Sequence, residues 1–175
     1  LDTIITNVQC YGESTGSIEV TIGGGHGQYL YSWTDQTNTI IGTESIVSDL
    51  TQGTYTLTVN DSICSKIFSF EILQADLISY LSAPTVNNVS CFGANDGYIS
   101  GTIIQGGNSP YQYNWNTIDD TFNVPNPSSL EPGQYFLDVT DSLGCEFSFP
   151  MVEISEPLEL TFHPNSIVSS PSCLN

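Results

Sequence analysis

Leu50-Thr51-Gln52-Gly53-Thr54-Tyr55-Thr56-Leu57-Thr58-Val59 decides the fold, because it returns later in the chain as Leu130-Glu131-Pro132-Gly133-Gln134-Tyr135-Phe136-Leu137-Asp138-Val139. In both copies Tyr, Leu and Val occupy every second position, the period of a β-strand that turns one face to a core. The glycine two residues ahead of the tyrosine marks a turn. Leu-x-x-Gly-x-Tyr reads as a tyrosine corner, in which the Tyr55 and Tyr135 hydroxyls bond back to the preceding connection, as in Ig-like sandwiches. Ser17-Ile18-Glu19-Val20-Thr21-Ile22 alternates in the same way, and no stretch sustains a helical period. Short strands set between Gly, Asn, Asp and Pro clusters, in units of some 80 residues, predict an all-β chain. The expected architecture is tandem Ig-like β-sandwich modules in a rod-like array.

The repeat extends well beyond this strand. Cys10 and Cys91 are 81 residues apart, Cys64 and Cys145 are also 81 apart, and Cys173 follows Cys91 by 82. Val8-Gln9-Cys10-Tyr11-Gly12 matches Val89-Ser90-Cys91-Phe92-Gly93, and Tyr29-Leu30-Tyr31-Ser32-Trp33 matches Tyr111-Gln112-Tyr113-Asn114-Trp115. Such self-similarity marks a repeat architecture. It predicts one module over 1–76, a proline-marked junction over 77–84, a second module over 85–160, and over 161–175 a junction and the start of a third repeat. Proline at the boundaries limits ladder pairing and stiffens the connection. The equal separation of the two cysteines in each module predicts disulfides Cys10–Cys64 and Cys91–Cys145, formed in an oxidising compartment. A cross-module scheme, Cys64–Cys91 with Cys145–Cys173, respects the same period. No CxxC or His pair suggests zinc.

Nineteen acidic residues stand against one basic residue, Lys66, for a net charge of −18. That field repels phosphate backbones and anionic membranes, so nucleic acid and membrane insertion are not expected partners. No apolar run approaches the roughly 20 residues that span a bilayer. Leu1 is not preceded by a charged leader, so export signals and anchors are expected outside this sequence. His26 and His163 are scattered and belong to no repeated site, and Gly23-Gly24-Gly25 lacks the lysine of a phosphate loop. The expectation is a non-enzyme.

Three groups of residues have both a binding and a structural reading. Tyr29, Tyr31 and Trp33, like Tyr111, Tyr113 and Trp115, project from one strand face, where they would stack on sugar rings if exposed. The structural reading places both tryptophans in the core, and it is the one expected, since a sandwich of this kind needs a large central aromatic. Asn95 and Asp96, in Ala94-Asn95-Asp96-Gly97, offer oxygen ligands for Ca²⁺; no other cofactor is implied. An ordinary turn uses the same residues.

The series Cys-aromatic-Gly-x-x-x-Gly-x-Ile, Gly-Gly, Tyr-x-Tyr-x-Trp, Leu-x-x-Gly-x-Tyr, Val-x-Asp-Ser and Cys resembles the SprB-type repeat of large cell-surface adhesins of gliding Bacteroidota. Both modules carry it, the first departing where Asp61-Ser62-Ile63-Cys64 lacks the glycine of Asp141-Ser142-Leu143-Gly144-Cys145. The resemblance implies an extracellular, cell-surface array that extends an adhesin, with neighbouring repeats as partners and no catalytic residues. Asp61-Ser62-Ile63 and Asp141-Ser142-Leu143 are also similar to the O-glycosylation sequon of exported proteins of that group, which makes Ser62 and Ser142 candidate acceptors. Two further readings compete with the spacer array: a carbohydrate-binding module holding a surface glycan, and a subunit of a filament built from other copies.

Overall fold

The computed structural model describes residues 1–118 and 120–161, and every regular element among them is a strand. The first module contains β1 (Asp2–Thr6), β2 (Gly16–Thr21), β3 (Leu30–Thr34), β4 (Ile40–Gly42), β5 (Ile46–Leu50), β6 (Gly53–Asn60) and β7 (Ser65–Ile72). They form two antiparallel sheets, β1-β2-β5 and β4-β3-β6-β7. The second module contains β8 (Ser79–Ser82), β9 (Thr85–Asn87), β10 (Gly97–Ser100), β11 (Ile103–Gln105), β12 (Gln112–Asn116), β13 (Thr121–Phe122), β14 (Ser128–Leu130), β15 (Gly133–Thr140), β16 (Glu146–Ser148) and β17 (Val152–Ile154). Its sheets repeat the order, β9-β10-β14 and β13-β12-β15-β16, with β17 continuing beside β15. Pro150 has no N–H to give the ladder, and the edge strand that runs unbroken as β7 in the first module is split at that point into β16 and β17.

Each module has its own core. Trp33 and Trp115 are both 0 % exposed and lie among the alternate residues of the paired strands, Leu57 and Val59 in the first core and Leu137 and Val139 in the second. The indole N–H groups are satisfied by backbone, Trp33 Nε1 donating to Glu44 O at 2.9 Å and Trp115 Nε1 to Pro125 O at 3.4 Å. The tyrosine corners form as the sequence predicts: Tyr55 donates to Thr51 O at 3.0 Å and Tyr135 to Glu131 O at 2.8 Å.

The expected junction over 77–84 is structured differently. It holds β8, which pairs antiparallel with β11, and the flanking Ile78 is buried in the second core with Tyr80 packed against it. Residues that sequence reading assigned to a linker therefore supply the first strand of the second sandwich. The expected third repeat, with Cys173, Pro164 and His163, lies outside the described residues.

Candidate functional site: the joint between modules

The position of Cys10 follows from how the chain enters the sandwich. β1 crosses the module alongside β2, and Val8 then pairs in parallel with Gln74, its N–H donating to Leu73 O at 2.9 Å. Gly12 N–H donates to the Gln74 side chain at 3.0 Å, fixing the Cys10–Gly12 turn beside the end of β7. Cys64 lies at the opposite end of β7, just before Ser65. Ten residues of extended chain separate Cys64 from Gln74, about 33 Å at strand rise, whereas a disulfide requires Cα atoms within about 7 Å.

The predicted intramodular pairs accordingly do not form. Cys10 is bonded instead to Cys145, with Cα atoms 5.5 Å apart across 135 positions of sequence, while Cys64 and Cys91 carry free, exposed thiols. The alternative scheme fails as well, since Cys145 is already committed and Cys64 and Cys91 do not bond. The pairing is between modules: the first cysteine of one joins the second cysteine of the next. In the chain-entropy description a loop of this length stabilises the folded state by roughly 5 kcal/mol.

The bond belongs to a wider packed contact. Cys10 packs against the second hydrophobic core, and a small cavity at this joint is lined by Cys10, Tyr11, Ala75, Ile78, Cys145 and Phe147. Asp76 O accepts from Gly107 N at 2.7 Å, tying the connecting segment to the loop before β12. Asp141 organises the receiving turn. Its Oδ1 accepts from Leu143 N at 2.8 Å and Cys145 N at 2.9 Å, and its Oδ2 accepts from Asn108 N at 2.8 Å. Burial pushes the Asp141 carboxyl up, but the donations from Cys145, Asn108 and Leu143 outweigh it and hold the carboxyl below its ordinary range. Asp61 makes the same clamp in the first module, accepting from Cys64, Ile63 and His26, and is lowered first by the Cys64 bond and then by the other two.

The remaining sequence candidates resolve individually. Burial of both tryptophans removes the stacking platform that a glycan would need. Asp96 accepts from Ser90 N at 2.9 Å, bracing the turn before β10 that also holds Asn95. Among the described residues no group of three or more His, Cys, Asp or Glu side chains is placed to hold a metal. Ser62 and Ser142 are exposed, the first donating to His26 O at 3.0 Å. Among the described residues no helix is long and apolar enough to cross a membrane.

Among solved structures, the chain is similar to the N-terminal eight Ig domains of Down syndrome cell adhesion molecule, with a TM-score of 0.45 and 12 % identity. The match covers 90 % of this chain and 24 % of that one. It is also similar to the I-band fragment I67–I69 of titin, with TM-score 0.41 and 12 % identity over 89 % of this chain and 66 % of that one. A biofilm-associated protein BSP domain is similar at TM-score 0.31 and 14 % identity, over 88 % of this chain and 29 % of that one. The chain thus spans less than two thirds of the length of each. No curated protein matches the sequence. Residues 3–38 and 83–120 match the SprB repeat model, the two segments standing at equivalent places in the two sandwiches.

Proposed function

We propose that the chain is a pair of structural repeat modules from a large extracellular surface protein, serving as a stiff spacer that holds and displays an adhesive part at a distance from the cell. The observation that carries this reading is the joint: successive modules share a strand-bearing segment and a covalent Cys10–Cys145 bond. A connection of that kind resists hinging, as a spacer requires, and the disulfide favours an oxidising, extracellular setting. No nucleophile–base pair recurs at equivalent positions of the two modules, which supports a non-enzymatic role. Exposed Ser62 and Ser142 remain candidate acceptors for surface glycosylation, which intact-mass measurement of native protein would detect.

Small-angle scattering of the two-module chain tests the spacer. The expected result is a maximum dimension that stays constant across a salt series, because the joint rests on apolar packing and a covalent bond rather than on ion pairs. A dimension that collapses as salt screens the acidic surface would reveal a charge-extended, flexible connection and reject the proposal.

A further inference from the structure

Half of the joint is present twice more in this chain without its complement. At the leading pole of the first module, Ile22, Gly24, Tyr29, Val59, Cys64 and Phe68 line an open groove. The same place in the second module is where the segment 76–80 passes. Its loops are built alike: Tyr29 donates to Gly24 O as Tyr111 donates to Gly106 O. Gly24 and Gly106 both have positive φ, +88° and +78°. A Cβ on Gly106 would meet Leu77 O at 2.0 Å, whereas one on Gly24 would meet nothing within 4 Å. Phe149 is stacked by Tyr80 with centroids 4.1 Å apart, while its counterpart Phe68 has no such cover.

The trailing pole of the second module has the opposite deficiency. Gly93 N–H donates to Glu156 at 2.9 Å as Gly12 donates to Gln74, so Glu156 marks the start of the equivalent connecting segment. Leu160 then corresponds to Ile78. Ile78 is 3 % exposed, while Leu160 is 100 % exposed and Leu158 95 %. The Cys91-Phe92-Gly93 turn stands beside this segment with its thiol free, as Cys10-Tyr11-Gly12 stands beside Gln74.

We infer that the trailing pole of one module and the leading pole of the next form a reproducible plug and socket, so that a second copy of this chain joins the first head to tail. Leu158 and Leu160 of one copy enter the groove of the other, and Cys91 of the first forms a disulfide with Cys64 of the second. Lys66, the only cation of the chain, lines the socket, and Glu159 lies on the plug. The inference rests on the reading of the chain as a repeat array, and in a longer chain the same contact joins consecutive repeats. Each bond converts two thiols to one disulfide with loss of two protons and two electrons. The electrons pass to a disulfide oxidant such as glutathione disulfide, which is reduced to two glutathione thiols.

The test uses the whole chain carrying Cys173→Ser, oxidised with glutathione disulfide. The expected product is a ladder of covalent multimers whose non-reducing peptide map contains Cys91–Cys64 links. Adding C64S to one pool and C91S to another should leave each pool without that link and yield a heterodimer when they are mixed. L160D, in an exposed segment that leaves both cores untouched, should slow formation of the link about tenfold, the effect of losing one buried leucine contact. Cys64–Cys64 and Cys91–Cys91 links in statistical proportion, thiols that stay unlinked, or an L160D rate equal to that of the parent would each overturn the inference. The spacer reading is judged separately by scattering, which does not depend on whether these terminal thiols link.

Discussion

The leading poles of the two modules are built from closely similar sequence, apart from the extra Gly144 of the second, and differ in cover: the second is covered and the first is bare. Asp61 and Asp141 clamp equivalent turns through the same three kinds of backbone donor, yet Asp141 is 3 % exposed and Asp61 is not buried. Gly106 carries a chain across its Cα and Gly24 does not. The clamp and the glycine loop therefore do not need the neighbour in order to form. They are a prepared surface on which the preceding module's trailing segment settles, and the boundary of a sequence repeat falls inside a folded module rather than between modules.

Substitutions at matched positions measure this difference directly. Trp33→Ala and Trp115→Ala remove the same buried indole from two equivalent cores, and each should lower the stability of its own module by about 4 kcal/mol in chemical denaturation. Unequal costs would mean that the cores, and not only the poles, differ. Gly106→Ala places a methyl group onto Leu77 O in addition to straining a positive-φ position, and should cost about 3 kcal/mol; Gly24→Ala bears the strain alone and should cost about 1 kcal/mol. Equal losses would break the comparison, because they would mean that no chain crosses Gly106 in solution.

Asp141→Ala leaves three backbone donors without an acceptor at a covered site and should cost about 2 kcal/mol. The same change at Asp61, where water replaces the carboxylate, should cost less. Acid sharpens the point. Both carboxyls are held below the ordinary aspartate value of about 3.9, so their contribution is complete above that value and is lost as pH falls through the folded-state values. Asp141→Asn should flatten the acid limb of the second module's stability curve, measured by thermal melts between neutral and acid pH. The smallest expected effect is a control: Tyr55→Phe and Tyr135→Phe each delete one corner hydrogen bond at the end of the module opposite the leading pole and should cost about 1 kcal/mol alike.

Much of the fold was legible in local pattern. The alternation in β6 and β15, the buried tryptophans and both tyrosine corners follow from residue spacing, because each depends on neighbours within a few positions. The disulfide did not. Any pairing rule that treats every module alike repeats at the module period, so equal cysteine spacing is satisfied by intramodular bonds, by the Cys64–Cys91 scheme and by the observed Cys10–Cys145 rule. What separates them is that β1 carries the chain to the far pole before Cys10, and that crossing is a property of sheet pairing. The strand β8 was hidden for a related reason: Ser79-Tyr80-Leu81-Ser82 beside a proline reads as a connection, and only its antiparallel pairing with β11 makes it part of a sandwich.

The Cys10–Cys145 bond also changes how the chain carries tension. A pull applied at the two ends of the sequence enters at Leu1, reaches Cys10 after nine residues and passes through sulfur directly to Cys145. The intervening polypeptide, most of both modules, lies on a slack parallel branch. With 135 positions bridged, roughly 450 Å of extended chain is withheld from unravelling at about 3.4 Å per residue. Single-molecule stretching should therefore record a short tether under oxidising conditions and a long one after reductant is added, so that redox state sets the extensibility of the array.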